Sequence, residues 1–382
     1  MRPLRASIAW QQGGETVSLL VSIFRKPAKV CELDSVAWDL LIRQARHGNL
    51  LGRLYVLLDK TGHLANVPAQ PRNHMLSGAT MAERQHLSIK HEIGLLHQTF
   101  CDHGLPLILL KGAAYVAAGL PAANGRVFAD IDILVPQIRL VEAESVLMQT
   151  GWVSTATDAY DQRYYRQWMH ELPAMQHMFR GASLDVHHTI LPPTSRIKLD
   201  ARLLIESSIE VPGLAGVRIL SPCDMVLHSA THLFHEGEPD NLLRDLTDLD
   251  LLLREFSRLD GSFWGQLIAR AELLSLEMPL ILALRYTNSI LDTPVPDAVI
   301  NFTKRRGKAW PKQAILDAIY GRVLRPQHDS VSDWFSPIAR RLLYIRAHWL
   351  RMPPLLLAYH LGHKFLFPPK AISVPLDGER QR

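Results

Sequence analysis

The chain has 382 residues and a small basic surplus, 42 Lys plus Arg against 37 Asp plus Glu, giving +5. That length suits two domains or one large mixed unit with helical additions, and so mild a surplus does not by itself point to nucleic acid. A hydrophobic share of 47% with 21% charged residues excludes a disordered or collagen-like chain, and no apolar run nears the ~18 residues of a spanning helix, so a soluble globular protein is expected. Cys31, Cys101 and Cys223 are far apart, without the spacing of a disulfide framework or zinc site, which suits a reducing cytoplasm. Arg2 and Arg5 precede an apolar stretch over 17–24, but Ser18 and Ser22 interrupt it and no small-residue cleavage pattern follows. No signal peptide is expected.

In chain order, apolar spacing of three and four predicts one or two amphipathic helices over 35–60 and another over 79–103, which His103-Gly104 closes before Pro106. Short apolar runs at 105–110 and 127–135 predict strands, separated by an alanine-rich helix over 112–119 and a loop over 120–126 containing Pro121, Asn124 and Gly125. A helix over 139–150 stops at Gly151, and further strands are expected at 183–190 and 217–220. Ser221-Pro222-Cys223-Asp224 is a helix start, with a capping serine, proline at the first helical position and an acid three places on. The helix should run to about 236. Leucine spacing over 242–256 and 267–284 predicts more helix, and no strand pattern follows before the Pro-rich tail from 368. Three segments result: a helical 1–95, a mixed α/β core over 96–220 and a helical 221–382.

The stretch VFADIDILV, 127–135, carries the chemistry. Side chains alternate along a strand, so Phe128, Asp130, Asp132 and Leu134 share one face and Ala129, Ile131, Ile133 and Val135 the other. Two carboxylates about 7 Å apart at Cα converge in front of the sheet, and in a cleft they need a cation between them. Hard oxygen ligands suit Mg²⁺ or Mn²⁺. An isolated pair of this kind more often marks the solvated face of an edge strand, and the context of 183–190 shifts the balance. SLDVHHTI, 183–190, repeats the alternation and puts Asp185 and His187 on one face, which offers a third carboxylate for a metal site. Upstream, Lys111-Gly112 stands where a strand ends and a helix begins. Small residues there let a phosphate approach backbone N–H groups, with Lys111 and Arg126 as candidate phosphate contacts. Neither the Walker loop nor the dinucleotide fingerprint is present.

LKG at 110–112, R-x-x-x-D-I-D-I-L-V at 126–135, GW at 151–152 and LDVHH at 184–188 resemble the nucleotidyltransferase family of the DNA-polymerase-β-like superfamily, in a branch that often accompanies bacterial polysaccharide gene clusters. The resemblance covers roughly 36–256. It implies an α+β fold, with a polymerase-β-like core of small mixed sheet flanked by helical segments. It also implies a Mg²⁺- or Mn²⁺-dependent transfer of a nucleoside monophosphate from an NTP to a hydroxyl acceptor, with Asp130, Asp132 and Asp185 as metal-binding and catalytic residues. Lys111, Gly112 and Arg126 would serve the nucleotide. Lys111-Gly112 replaces the superfamily's more usual Gly-Ser, so the mode of triphosphate binding and the choice of nucleotide are not inherited.

Weaker signals remain. His228, His232 and His235 form one helical stripe near Glu236 and Asp245. With His187 and Arg244, His228 and His232 are candidate acceptor contacts, and the stripe also invites a metal-dependent phosphohydrolase. Arg244 and Asp248, four apart, fit a surface ion pair. The C-terminal third is basic and aromatic, with Lys304, Arg305, Arg306, Lys308, Lys312, Arg340, Arg341, Arg346, Arg351, Lys364 and Lys370 among Trp310, Trp334, Trp349, Tyr359 and Phe365. An ordinary helical domain with snorkelling cations is preferred there over peripheral membrane, RNA or phosphorylated-saccharide contact. A non-catalytic, antitoxin-like binding partner with the same fold is the rival from another class.

Overall fold

The computed structural model describes residues 10–12, 15–128, 130–156, 158–236, 241–307 and 313–359. Ala129, and Lys308, Trp310, Lys312, Lys364, Phe365 and Lys370 of the basic C-terminal third, lie outside these residues, as do Arg2, Arg5 and the side chain of Glu236. The first half carries β1 (Trp10–Gln12), β2 (Glu15–Val17), α1 (Leu19–Arg25), α2 (Ser35–His47), α3 (Leu51–Lys60), α4 (Ala69–Asp102), β3 (Leu107–Leu109), α5 (Lys111–Ala117), β4 (Asp130–Leu134), α6 (Leu140–Gln149), β5 (Trp152–Ser154), α7 (Ala159–Trp168), β6 (Met175–His177) and β7 (Ser183–His187). There follow α8 (Ala201–Glu206), β8 (Ile209–Val211), β9 (Leu214–Ile219), α9 (Pro222–Thr231), α10 (Leu242–Leu259), α11 (Phe263–Leu273), α12 (Glu277–Leu291), α13 (Asp297–Gly307), α14 (Gln313–Val323) and α15 (Ser336–Arg351).

A seven-stranded mixed sheet in the order β5-β6-β7-β4-β3-β9-β8 positions the site, making the fold mixed α/β. Its centre is β4, which runs parallel to β7 and antiparallel to β3, while β3 runs parallel to β9. Leu107, Ile108 and Leu109 are buried, as a central strand covered on both faces requires. The expected strands are present, β3, β4 and β7 shorter than their apolar runs and β9 starting three residues before its expected bound. Three-residue β5, β6 and β8 were not expected, because so short a strand has no period to read.

Local chemistry sets the helix ends. Asp34 caps α2 by accepting from the Ala37 N–H at 2.8 Å, and Ser221 caps α9 by accepting from the Asp224 N–H at 3.3 Å. The helix begun at Ser221 changes pitch after Thr231 into a π-helical turn, His232–Glu236. The His232 N–H still donates to the His228 carbonyl, so the change of pitch falls between His232 and His235. Among the described residues no helix is long and apolar enough to cross a membrane.

Three glycines seat the helical first hundred residues on the sheet. At the α3–α4 crossing, a Cβ on Gly52 would lie 2.7 Å from the Gly125 carbonyl oxygen, and one on Gly78 would lie 2.9 Å from the Gly52 nitrogen. Gly125 itself has φ +66 and presses on the Gly52 backbone, so this contact admits only glycine. One residue beyond Gly52, Arg53 donates to Asp248 Oδ1 at 2.6 Å and to Thr247 Oγ1 at 2.5 Å on α10, and to the Ala122 carbonyl in the loop before β4. One hydrophobic cluster runs from Leu19 to Leu343.

Candidate active site

Alternation along β4 puts Asp130 and Asp132 on one face, and the parallel register pairs Asp132 with Asp185 of β7. Oxygen atoms of all three carboxylates lie within 4.8 Å of one another. Asp132 is buried, whereas Asp130 and Asp185 are half-buried. The Leu110 N–H donates to the Asp132 carbonyl at 2.9 Å, which ties the end of β3 to the acid-bearing strand.

Two donors converge on one oxygen of Asp132: Lys111 Nζ at 2.9 Å and His187 Nε2 at 3.0 Å. Burial alone would raise the Asp132 pKa, but the Lys111 ammonium and the His187 hydrogen bond outweigh it and hold the carboxyl well below the usual carboxylate range. Among the described residues Asp185 has no such donor. Burial, then the charges of Asp132, Glu171 and Asp130, push it up to about 8. Asp130 is shifted upward as well, by burial and by Asp132. Three carboxylates crowded with one cationic side chain are short of positive charge, and hard oxygen donors at this spacing fit a divalent cation such as Mg²⁺ or Mn²⁺.

The β3–α5 junction lies beside them. Lys111 takes the left-handed conformation, φ +44, as the first residue of α5. The space a Cβ would need at Gly112 is held by Arg126 Nη1 at 2.7 Å and the Phe128 ring at 2.8 Å. Gly112 therefore makes room for a guanidinium and an aromatic ring, where the sequence suggested room for a phosphate. Arg126 lies over the Phe128 ring, its Cζ 5.1 Å from the centroid, and donates through Nε to Asp248 Oδ2 at 2.7 Å. Asp248 thus joins Arg53 and Arg126 inside the protein, which corrects the expected surface pair with Arg244. Arg244 instead pairs with Asp245 at 2.9 Å and donates to the Val127 carbonyl at 3.2 Å. Tertiary partners have overridden the local spacing.

A cleft of about 360 Å³ opens here, lined by Asn49, Gln85, Lys111, Gly112, Arg126, Val127, Phe128, Asp130, Asp132, His232, Asn241 and Arg244. His232 stands on its wall with Nδ1 4.0 Å from Asp245 Oδ2. His228 is buried near Lys111 and His187, and burial, followed by the Lys111 charge, lowers its pKa well below the usual histidine value. Every sequence-predicted site residue is therefore within this neighbourhood. Sequence reasoning missed Asn49, Glu171 and the partners of Asp248. Glu171 reaches the site only because residues 170–172 pair with the end of β7, and no strand pattern marks that segment.

No curated protein and no solved structure matches the chain. Residues 34–292, which include all the strands of the seven-stranded sheet and every residue of the acidic cluster, match the model of a family described as uncharacterised nucleotidyltransferases, and the chain belongs to that family.

Proposed function

We propose that the protein is a metal-dependent nucleotidyltransferase with a polymerase-β-like core, moving a nucleoside monophosphate from an NTP to a hydroxyl-bearing acceptor. The observation that carries this reading is the meeting of Asp130, Asp132 and Asp185 across two parallel strands, beside a cleft that Lys111 and Arg244 line. In the reaction, the acceptor oxygen bonds to the α-phosphorus, the bond from that phosphorus to its bridging oxygen breaks, and pyrophosphate leaves with the electron pair. Divalent cations bound by the three carboxylates would neutralise the triphosphate and steady the charge that develops on the attacking and leaving oxygens.

The chain's own residues divide the remaining work. Asp132 is fixed by Lys111 and His187 and stays ionised, so it serves as a rigid oxygen ligand. Asp185, with a proton affinity near neutrality, is suited to hold a cation on the acceptor side or to take the acceptor's proton. Lys111 places its positive charge at the junction of cleft and carboxylates. His187, His228 and His232 are assigned to positioning or acceptor contact, and Arg126 to holding the cleft wall through Asp248.

The test is a transfer assay with each α-labelled NTP, Mg²⁺ and a cell lysate as the source of acceptor. Wild type should give a labelled product, and Asp132→Asn should reduce it at least about a thousandfold, the several kcal/mol that charge stabilisation at phosphorus supplies. Equal labelling by both proteins discards the mechanism.

A further inference from the structure

A second set of metal-ligating side chains gathers at the other ring nitrogen of His187. After α7 the chain runs antiparallel to the end of β7, with the His188 N–H donating to the His170 carbonyl and the Leu172 N–H to the Val186 carbonyl, both at 2.9 Å. That pairing sets His170 and Glu171 beside His187. Glu171 Oε2 lies 3.4 Å from His187 Nδ1 and 3.9 Å from His170 Nε2. One ligand atom from each of the three residues fits within a 4.8 Å span.

The hydrogen bonding of His187 makes this more than a cluster. An ionised carboxylate only accepts, so the Nε2–H of His187 donates to Asp132, and Nδ1 is the ring atom left to face Glu171. The His187 side chain is only 1% exposed, and its Nδ1 is buried without a hydrogen-bond partner. A buried ring nitrogen without a hydrogen-bond partner, facing a carboxylate oxygen at 3.4 Å, is an unsatisfied pair that a bridging cation would complete. In a tetrahedral site with bonds of about 2.05 Å, neighbouring ligand atoms stand about 3.3 Å apart, close to the spacing of Glu171 and His187. A carboxylate behind a ligating histidine is also the usual way to fix the ring and its tautomer.

We propose that His170, Glu171 and His187 form a binding site for a zinc-class divalent ion, separate from the Asp130–Asp132–Asp185 cluster. Two imidazoles and one carboxylate select a borderline transition metal over Mg²⁺, which prefers oxygen alone. The bound ion fixes the His187 ring and, through it, the oxygen of Asp132. This site stands whether or not the chain transfers nucleotides.

The test uses the full-length protein, stripped with chelator, saturated with Mg²⁺ to occupy the carboxylate cluster, then titrated with Zn²⁺ and assayed for retained metal. Wild type and Asp130→Asn should both keep about one Zn²⁺ per chain, and Glu171→Gln and His170→Ala should bind it at least about tenfold more weakly. Co²⁺ in place of Zn²⁺ should give a visible tetrahedral absorption in wild type that His170→Ala lacks. If His170→Ala fails to fold by circular dichroism, the nearly isosteric Glu171→Gln decides. Equal Zn²⁺ retention by wild type and Glu171→Gln overturns the proposal. So does retention lost in Asp130→Asn alone, which places the ion in the carboxylate cluster, or no retention by wild type, which leaves a proton between Glu171 and His187.

Discussion

Asp132 and Asp185 face each other across β4 and β7 yet hold protons very differently. The donors Lys111 and His187 both reach Asp132, so burial and the neighbouring negative charges on Asp185 are only partly offset, by the Lys111 charge. With a folded pKa of about 8 against about 3.9 in the unfolded chain, the ion-free folded state binds the extra proton throughout that window. Its stability is therefore highest below the unfolded value and falls as pH rises toward the folded one. A dication displaces this proton, so the rise in Tm on adding Mg²⁺ should be small at pH 6 and larger at pH 8.5; an equal or smaller rise at the higher pH contradicts the assignment. Gly112 supplies a second prediction. Gly112→Ala drives a Cβ into Arg126 and Phe128 and should cost about 1–3 kcal/mol in urea unfolding, with the cleft wall disturbed. Period-two alternation is local, and so Asp130, Asp132, Asp185 and His187 were legible in the sequence. Glu171 and Arg53 were not, because only tertiary pairing brings them to their partners.

Elements are joined to the site by backbone contact and by buried charge. In α4, Gly78 meets the backbone of α3, whereas Gly94 is exposed and an added Cβ there would meet nothing within 4 Å. Gly94→Ala should therefore stabilise the protein by about 0.5–1 kcal/mol, the helix-propensity gain, while Gly78→Ala should destabilise it by about 1–3 kcal/mol. Urea midpoints of the two variants check this, and the same sign for both contradicts the crossing. Asp248 is the shared acceptor for Arg53 of α3 and Arg126 of the loop before β4, all three buried. Asp248→Asn leaves buried Arg53 without its counter-charge and Arg126 with only the longer Asp245 contact at 3.8 Å, and should cost about 3–5 kcal/mol by urea unfolding. A loss below about 1 kcal/mol would show that the network contributes little. The helix start at Pro222 was legible because its cap is a local signal, and the helix from Ser35 because of its apolar spacing. The short edge strands and the π-helical turn were not, since neighbouring chain segments determine them.

Across the whole molecule, helical parts distant in sequence are tied to one another and, by α15, to the turn that bears His232 of the cleft wall. Gln44 of α2 donates to Ser330 Oγ at 2.9 Å, and Arg346 of α15 donates to the Phe234 carbonyl at 2.6 Å within the π-helical turn that begins at His232. The basic C-terminal third expected from the sequence thus includes cations with internal partners: Arg285 pairs with Asp317 and Arg322 with Asp333. The order of α4, β3, α5, β4, α6, β7, β9 and α9 was readable from periodicity and turn signals, but the elements over 152–177 and 201–211, the seven-strand order and the tertiary ion pairs depend on distant contacts. The account as a whole rests on the three carboxylates acting as a cation site for nucleotide. The most direct measurement is equilibrium binding of each NTP, with and without Mg²⁺, to wild type, Asp130→Asn and Asp185→Asn whose folds are matched by circular dichroism. At least one NTP should bind wild type only when Mg²⁺ is present, and both variants should lose that dependence together with most of the affinity. Binding that is equally strong without Mg²⁺ and unchanged in both variants would contradict it.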